Sequence, residues 1–141
     1  MSVRIAPAST HISDLISFAT GGMLTSRQLE MIEWCQNMSG EMWTGWVDND
    51  LVAVWGLIPP SLLSNQAYLW MYSTERVQEH TFLFVRNSQR MIERMLERYE
   101  TINGHCQLGA THSMRWVRWL GGVFSEPDGA YIPFTIRRKH D

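Results

Sequence analysis

The sequence predicts an α/β (α+β) fold, a mixed central sheet of about six or seven strands accompanied by about four helices. Three observations predict it. The segments LVAVWGLI (51–58) and AYLWMYS (67–73) are apolar at both alternating positions, the pattern of strands covered on both sides. The segment FVRNSQRMIERMLERYE (84–100) places Val85, Ser88, Ile92, Met95 and Tyr99 at helical spacing. Strand-type and helix-type segments interleave along the chain, and no repeat or low-complexity tract interrupts them.

VRIAPA (3–8) reads as an opening strand that stops at Pro7. STHISDLISFA (9–19) follows as a helix, with Ser9 or Thr10 as cap and Ile12, Leu15 and Ile16 on its apolar side. After Gly21-Gly22, TSRQLEMIEWCQNMSG (25–40) predicts a second helix. Thr25 or Ser26 caps it, Leu29, Cys35 and either Met31 or Ile32 share a face, and Gly40 lies past its end. EMWTGWVDN and LVAVWGLI flank the turn-forming cluster DND (48–50) and read as a hairpin. Pro59-Pro60 ends the second arm.

The strand AYLWMYS and the long helix come next. HCQLGA (105–110) reads as a short strand, and HSMRWVRWLGG (112–122) as a helix closed by glycine. AYIPFTIRRK (130–139) is a last strand whose Pro133 favours an edge or a bulge.

The 141 residues suit one core, so a single domain over 1–141 is expected. A hydrophobic share of 45% with 18% charged residues is that of a globular protein, and the net charge of −2 gives no general attraction to nucleic acid or anionic membrane. Cys35 and Cys106 form no CxxC pattern and read as reduced core residues. The start shows no apolar run suited to a signal peptide, and the longest apolar segment is broken by glycine and proline, so no membrane segment and a cytoplasmic location are expected.

The order of elements resembles that of the GNAT superfamily of acetyl-CoA-dependent N-acyltransferases. SMRWVRWLGGVF (113–124) resembles the helix that follows the family's fifth strand, and Ser113, Arg115, Leu120, Gly121 and Phe124 carry the match. Over roughly 50–138, STERV, NSQRMIERMLERYE and GATHSMRWVRWLGGVF are similar to the GNAT-like internal virion proteins of short-tailed bacteriophages. That resemblance implies an internal virion or virion-assembly role, with phage structural or assembly proteins as partners and the host cytoplasm or the virion as location.

The chain departs from the enzymatic pattern at the residues that carry the chemistry. Active members have a loop of the form Q/R-x-x-G-x-G/A before the long helix, where backbone N–H groups hold the pyrophosphate of CoA. Here that segment is RVQEHTFLFVRNSQR (76–90), and no glycine stands between Gly56 and Gly104. Loss of two or three charge-assisted hydrogen bonds would cost roughly 3–9 kcal/mol, enough to turn a micromolar ligand into a millimolar one. Val117 occupies the position of the family's acidic tyrosine, and Ala110 and Thr111 stand where members carry asparagine. The expectation is a degenerate site with no cofactor. The alternative is an active enzyme moving an acetyl group from acetyl-CoA to an amine, with Glu75 as general base and Arg86, Asn87, Ser88, Ser113 and Arg115 on the cofactor.

Other features have simpler readings. Arg86, Arg90, Arg94 and Arg98 form a stripe on the long helix, and Glu93 and Glu97 follow two of them at ion-pair spacing, as on a solvated or partner-facing side. Trp116 packs on the sheet, and others of the seven tryptophans are candidates for a protein interface, including one with a host protein. His105 and His112 lack a third ligand at metal spacing, so no metal site is expected. The basic end IRRKHD reads as a solvated terminus.

Overall fold

A computed structural model of the chain describes residues 3–8, 12–22, 24–60, 66–74, 81–107, 109 and 111–138. The elements are β1 (Val3–Ala8), α1 (Ile12–Ala19), α2 (Ser26–Met38), β2 (Glu41–Val47), β3 (Asp50–Ile58), β4 (Ala67–Ser73), α3 (Thr81–Arg98), β5 (Thr101–Gln107), α4 (Thr111–Trp119), β6 (Val123–Phe124) and β7 (Tyr131–Arg137). The strands form a seven-stranded sheet in the order β1-β2-β3-β4-β5-β7-β6. This is the expected mixed α+β arrangement, with seven strands and four helices among the described residues. The chain divides into two compact units, one of residues 1–59 and 70–84, the other of residues 60–69 and 85–141.

In the first unit β1 and β3 flank β2, both antiparallel to it. β1 does not stop at Pro7 but runs through it, with Pro7 opposite Trp43. An edge strand has one side without a ladder, so a residue lacking an N–H fits there. The predicted hairpin forms at 48–50, where Asp48 takes a positive φ of 53°, a conformation that Asp and Asn tolerate better than other side chains. Residues 51–57 of β3 are all buried, as a two-sided apolar strand requires.

Helix α2 begins with a capping box. The Gln28 N–H donates to the Thr25 hydroxyl at 3.1 Å, and the Thr25 N–H donates to Gln28 Oε1 at 2.9 Å. Ile32, not Met31, is the buried member of that pair. The helix ends at Ser39 in an extended conformation rather than at a left-handed glycine. The Ser39 N–H and hydroxyl both donate to the Cys35 carbonyl, at 3.0 and 2.6 Å, and satisfy a carbonyl that the helix end leaves open. The same hydroxyl accepts the indole N–H of buried Trp70 at 2.6 Å. Gly56 makes room for that indole, since a Cβ there would stand 2.5 Å from Trp70 Nε1.

In the second unit β4 and β5 run parallel, registered at Ala67↔Ile102 and Tyr68↔Asn103. β5 pairs antiparallel with β7 from Thr101↔Arg137 to Gln107↔Tyr131. β5 starts four residues before the HCQLGA segment, because Asn103 and Gly104 are poor strand formers by propensity and are held by the ladder on each side. Pro133 lies in β7, between β5 and β6 in the strand order. Its carbonyl accepts from Ser125 N–H at 3.0 Å, so its nitrogen also points to that side, beyond the two-residue β6. The β5 ladder therefore loses no bond to the proline, which forgoes only the reciprocal bond to Ser125.

On α3, Ser88, Ile92 and Met95 are buried while Arg86, Arg90, Arg94 and Arg98 are exposed, together with Glu93 and Glu97. Helix α4 closes in a Schellman motif: Gly121 N–H bonds the Arg118 carbonyl and Gly122 N–H the Val117 carbonyl, with Gly121 at φ 90°. Ile102, Cys106, Ile132, Phe134 and Ile136 are buried along with Val117.

Candidate functional site

Glu75 and residues 76–80, the heart of the segment singled out for a base and a cofactor loop, lie outside the described residues. The chain is well anchored just before them. Thr74 is buried, its N–H donates to the Val52 carbonyl at 2.8 Å, and its hydroxyl donates to the Leu51 carbonyl at 2.8 Å. These bonds continue the sheet one residue past β4 and fix where the chain leaves it.

The five residues assigned to a cofactor stand on α3 and α4. Arg86 is exposed, Asn87 half-buried and Ser88 buried. Ser88 faces inward because it shares the helical side of Ile92 and Met95, and its hydroxyl accepts the Trp116 indole N–H at 2.9 Å. Ser113 and Arg115 are both exposed. Two residues apart on a helix, they do not share a face, whereas Ser113 lies one turn before Trp116 on the same side. The structure therefore brings Ser88 to Trp116, and leaves Arg86 and Arg115 as solvent-facing cations.

Val117, at the position of the family's tyrosine, is a core residue only 4% exposed. The chain packs tightly around it: a Cβ on Gly122 would come within 2.4 Å of Val117 Cγ1. Trp116 is half-buried, while Trp119 is 52% exposed.

Periodicity did not reveal a row of polar side chains across β4, β5 and β7. Asn103 Nδ2 donates to Gln66 Oε1 at 2.9 Å, Thr135 Oγ1 donates to Asn103 Oδ1 at 2.8 Å, and Tyr68 OH and His105 Nδ1 are hydrogen-bonded at 2.7 Å. The signal is the shared parity of Asn103 and His105 within β5, which becomes legible once the registers Tyr68↔Asn103 and Asn103↔Thr135 are known. His105 thus uses one ring nitrogen on Tyr68, and among the described residues no three His, Cys, Asp or Glu side chains form a metal-holding group. A depression of about 440 Å³ at the end of α1 is lined by Asp14, Ser17, Phe18, Gly21 and Gly22, none of them a predicted site residue. Among the described residues no helix is long and apolar enough to cross a membrane.

Burial raises the thiol pKa of both cysteines, that of Cys35 to about 11. Neither thiol is set up as a nucleophile, which needs a lowered pKa.

No protein-family model and no curated protein sequence matches the chain. Solved structures do match in fold. An acetyltransferase from Bacillus subtilis in complex with CoA superposes with a TM-score of 0.68 at 11% identity, covering 98% of this chain and 100% of that one. A GNAT family acetyltransferase from Elizabethkingia anophelis with acetyl-CoA bound gives 0.66 at 11% identity, covering 96% and 98%. The IAA acetyltransferase from Bacillus cereus gives 0.69 at 8% identity, covering 97% and 100%. The chain has the GNAT acetyltransferase fold, and at these identities the likeness is one of fold.

Proposed function

We propose that this chain is a GNAT-fold protein of a short-tailed bacteriophage, acting inside the virion or in its assembly, with an acetyl-CoA site that has lost its apparatus. The observation that carries the loss is the glycine-free run between Gly56 and Gly104, which includes the whole approach to α3. A fold that binds pyrophosphate on backbone N–H groups needs residues without side chains at the closest approach. Two features of the helices support the same reading. Ser88 is buried with its hydroxyl accepting the Trp116 indole N–H, and Val117 fills the core where an acid would stand. Of the five assigned residues, Arg86, Ser113 and Arg115 are exposed. The residues present fit the cofactor poorly. The phage role rests on the sequence resemblance over 50–138, and it implies structural or assembly proteins of the particle as partners, in the host cytoplasm or the virion.

A second reading is favoured by the whole-length match to acetyltransferases solved with CoA or acetyl-CoA. In it, the chain acetylates an amine, Glu75 removes the amine proton, and Arg86, Asn87, Ser88, Ser113 and Arg115 hold acetyl-CoA. Calorimetric titration of the full chain with acetyl-CoA separates the two. The first reading expects no heat of binding up to about millimolar ligand, together with recovery of the protein from particles or assembly intermediates. Stoichiometric micromolar binding would overturn the degenerate site, and absence from both particles and intermediates would overturn the assembly role.

A further inference from the structure

We propose that the outward sides of α3 and α4 bind single-stranded nucleic acid, with Arg86, Arg90, Arg115 and Arg118 on its phosphates and the ring of Trp119 on a base. This rests on the loss of the acetyl-CoA site proposed for this chain and not on the phage role.

The two compact units differ in charge. The second holds nine of the twelve arginines and lysines and six of the fourteen acids, a net +3, while the first holds three and eight, a net −5. A chain of net charge −2 therefore has room for a local polyanion surface. Within the second unit the excess narrows to two stretches. No carboxylate stands between Glu79 and Glu93, or between Glu100 and Glu126. The first stretch supplies Arg86 and Arg90 to α3, and the second supplies Arg115 and Arg118 to α4. Glu93 and Glu97 belong to the C-terminal half of α3, where Arg94 and Arg98 offset them.

Packing brings the two stretches together. The Trp116 indole N–H donates to the Ser88 hydroxyl at 2.9 Å, and Ser88 stands midway between Arg86 and Arg90. Both helices lie on one side of β7. A Cβ on Gly122, just past α4, would meet Val117 and Ile136, and Arg138, two residues after Ile136, donates to the Leu96 and Glu97 carbonyls of α3. All four arginines are exposed. Arg86 and Arg90 are about 6 Å apart along the axis of α3. Arg115, Arg118 and Trp119 follow the i, i+3, i+4 spacing, so they share the outward side of α4, whose other side buries Val117.

The chemistry of these side chains selects the occupant. Guanidinium groups removed from carboxylates suit phosphate oxygens. An exposed tryptophan among them suits an unpaired base, which stacks on an aromatic ring whatever its sequence, while the bases of a duplex are already stacked. A membrane surface would instead call for a broad apolar side to insert, and here one ring stands beside two arginines.

The test is fluorescence anisotropy of a labelled thymidine strand of about 20 nucleotides, titrated with the full chain. The expected Kd is about 1–100 µM near physiological salt, and the four phosphate contacts set a log–log salt slope of about −3. Arg90→Gln should reduce that slope by about 0.7. Trp119→Ala should weaken binding by about 5- to 100-fold, and Trp119→Phe, which keeps a stacking face, should restore most of it. A duplex of equal length should not respond to Trp119→Ala. Arg27→Gln, exposed on α2 in the first unit, should change nothing. The substituted side chains are exposed, so circular dichroism should report the wild-type fold. No binding of the strand at low salt would overturn the proposal, as would binding that Arg90→Gln and Trp119→Ala leave untouched. Coenzyme A at about millimolar concentration should not displace the strand. Displacement would overturn the lost-cofactor reading itself and return Arg86 and Arg115 to acetyl-CoA.

Discussion

Gly104→Ala is a sharp test of the packing in the second unit. A Cβ on Gly104 would stand 2.4 Å from Phe134 Cζ, 2.7 Å from Phe134 Cε2 and 2.8 Å from the Leu69 carbonyl oxygen. Ordinary contacts begin near 3.4 Å, so something must part by about 1 Å. The oxygen belongs to the backbone of β4, whose parallel register with β5 lies just before it. The phenyl ring is 5% exposed and meets Phe124 edge-on, with centroids 6.2 Å apart. Neither neighbour is free to yield. Overpacking of this kind costs about 1–3 kcal/mol, partly offset by about 0.4–1 kcal/mol from the smaller unfolded-state entropy of alanine. A net loss of about 1–2 kcal/mol lowers the melting temperature by roughly 3–8 °C at this chain length.

Urea unfolding should show a lower midpoint with an unchanged slope. Phe134→Leu opens space at the same place, so the double variant should be more stable than the sum of the single losses by about 1 kcal/mol. A neutral Gly104→Ala, or strict additivity in that cycle, would refute the close approach of Gly104 to Phe134.

Ser39→Ala removes the acceptor of the Trp70 indole and one of the two donors to the Cys35 carbonyl. Because Trp70 is buried, the unsatisfied N–H should cost about 1–3 kcal/mol in a denaturant titration. Cys35, whose thiol pKa is raised to about 11, should react with an alkylating reagent at pH 8 much more slowly than an ordinary free cysteine. The sign of its linkage follows: the folded thiol keeps its proton while the unfolded one loses it, so stability should fall as pH rises from about 9 toward 11. Cys35→Ser should flatten that part of the curve.

Much of the fold was legible because local signals agreed with tertiary ones. The DND turn, the Thr25 cap, the two-sided β3 and the 3.6-residue pattern of α3 each sit where the chemistry of their residues places them. The misreadings come from residues whose local preference the sheet overrides. Pro7 looked like a strand end and is an edge-strand residue. Asn103 and Gly104 fell before the strand expected at 105–110 and are held inside β5 by the strands on each side. The candidate site was legible in part. Motif spacing singled out Ser88 and Val117, but only packing shows the first bonded to Trp116 and the second in the core. The polar row of Gln66, Asn103 and Thr135 draws on β5, β7 and the residue just before β4 and has no spacing to announce it.

Sequence alone determined the element types, the mixed α+β class, the glycine-free approach to α3 and the lack of a strong charge bias. These depend on periodicity, turn chemistry and composition, which act over a few residues or over the whole chain without regard to contacts. The tertiary structure decided which tryptophans are covered, which apolar stripe of α2 faces inward and which polar groups already have partners. Those properties depend on what other segments bring to each side chain, and burial is a relation between residues far apart in the chain.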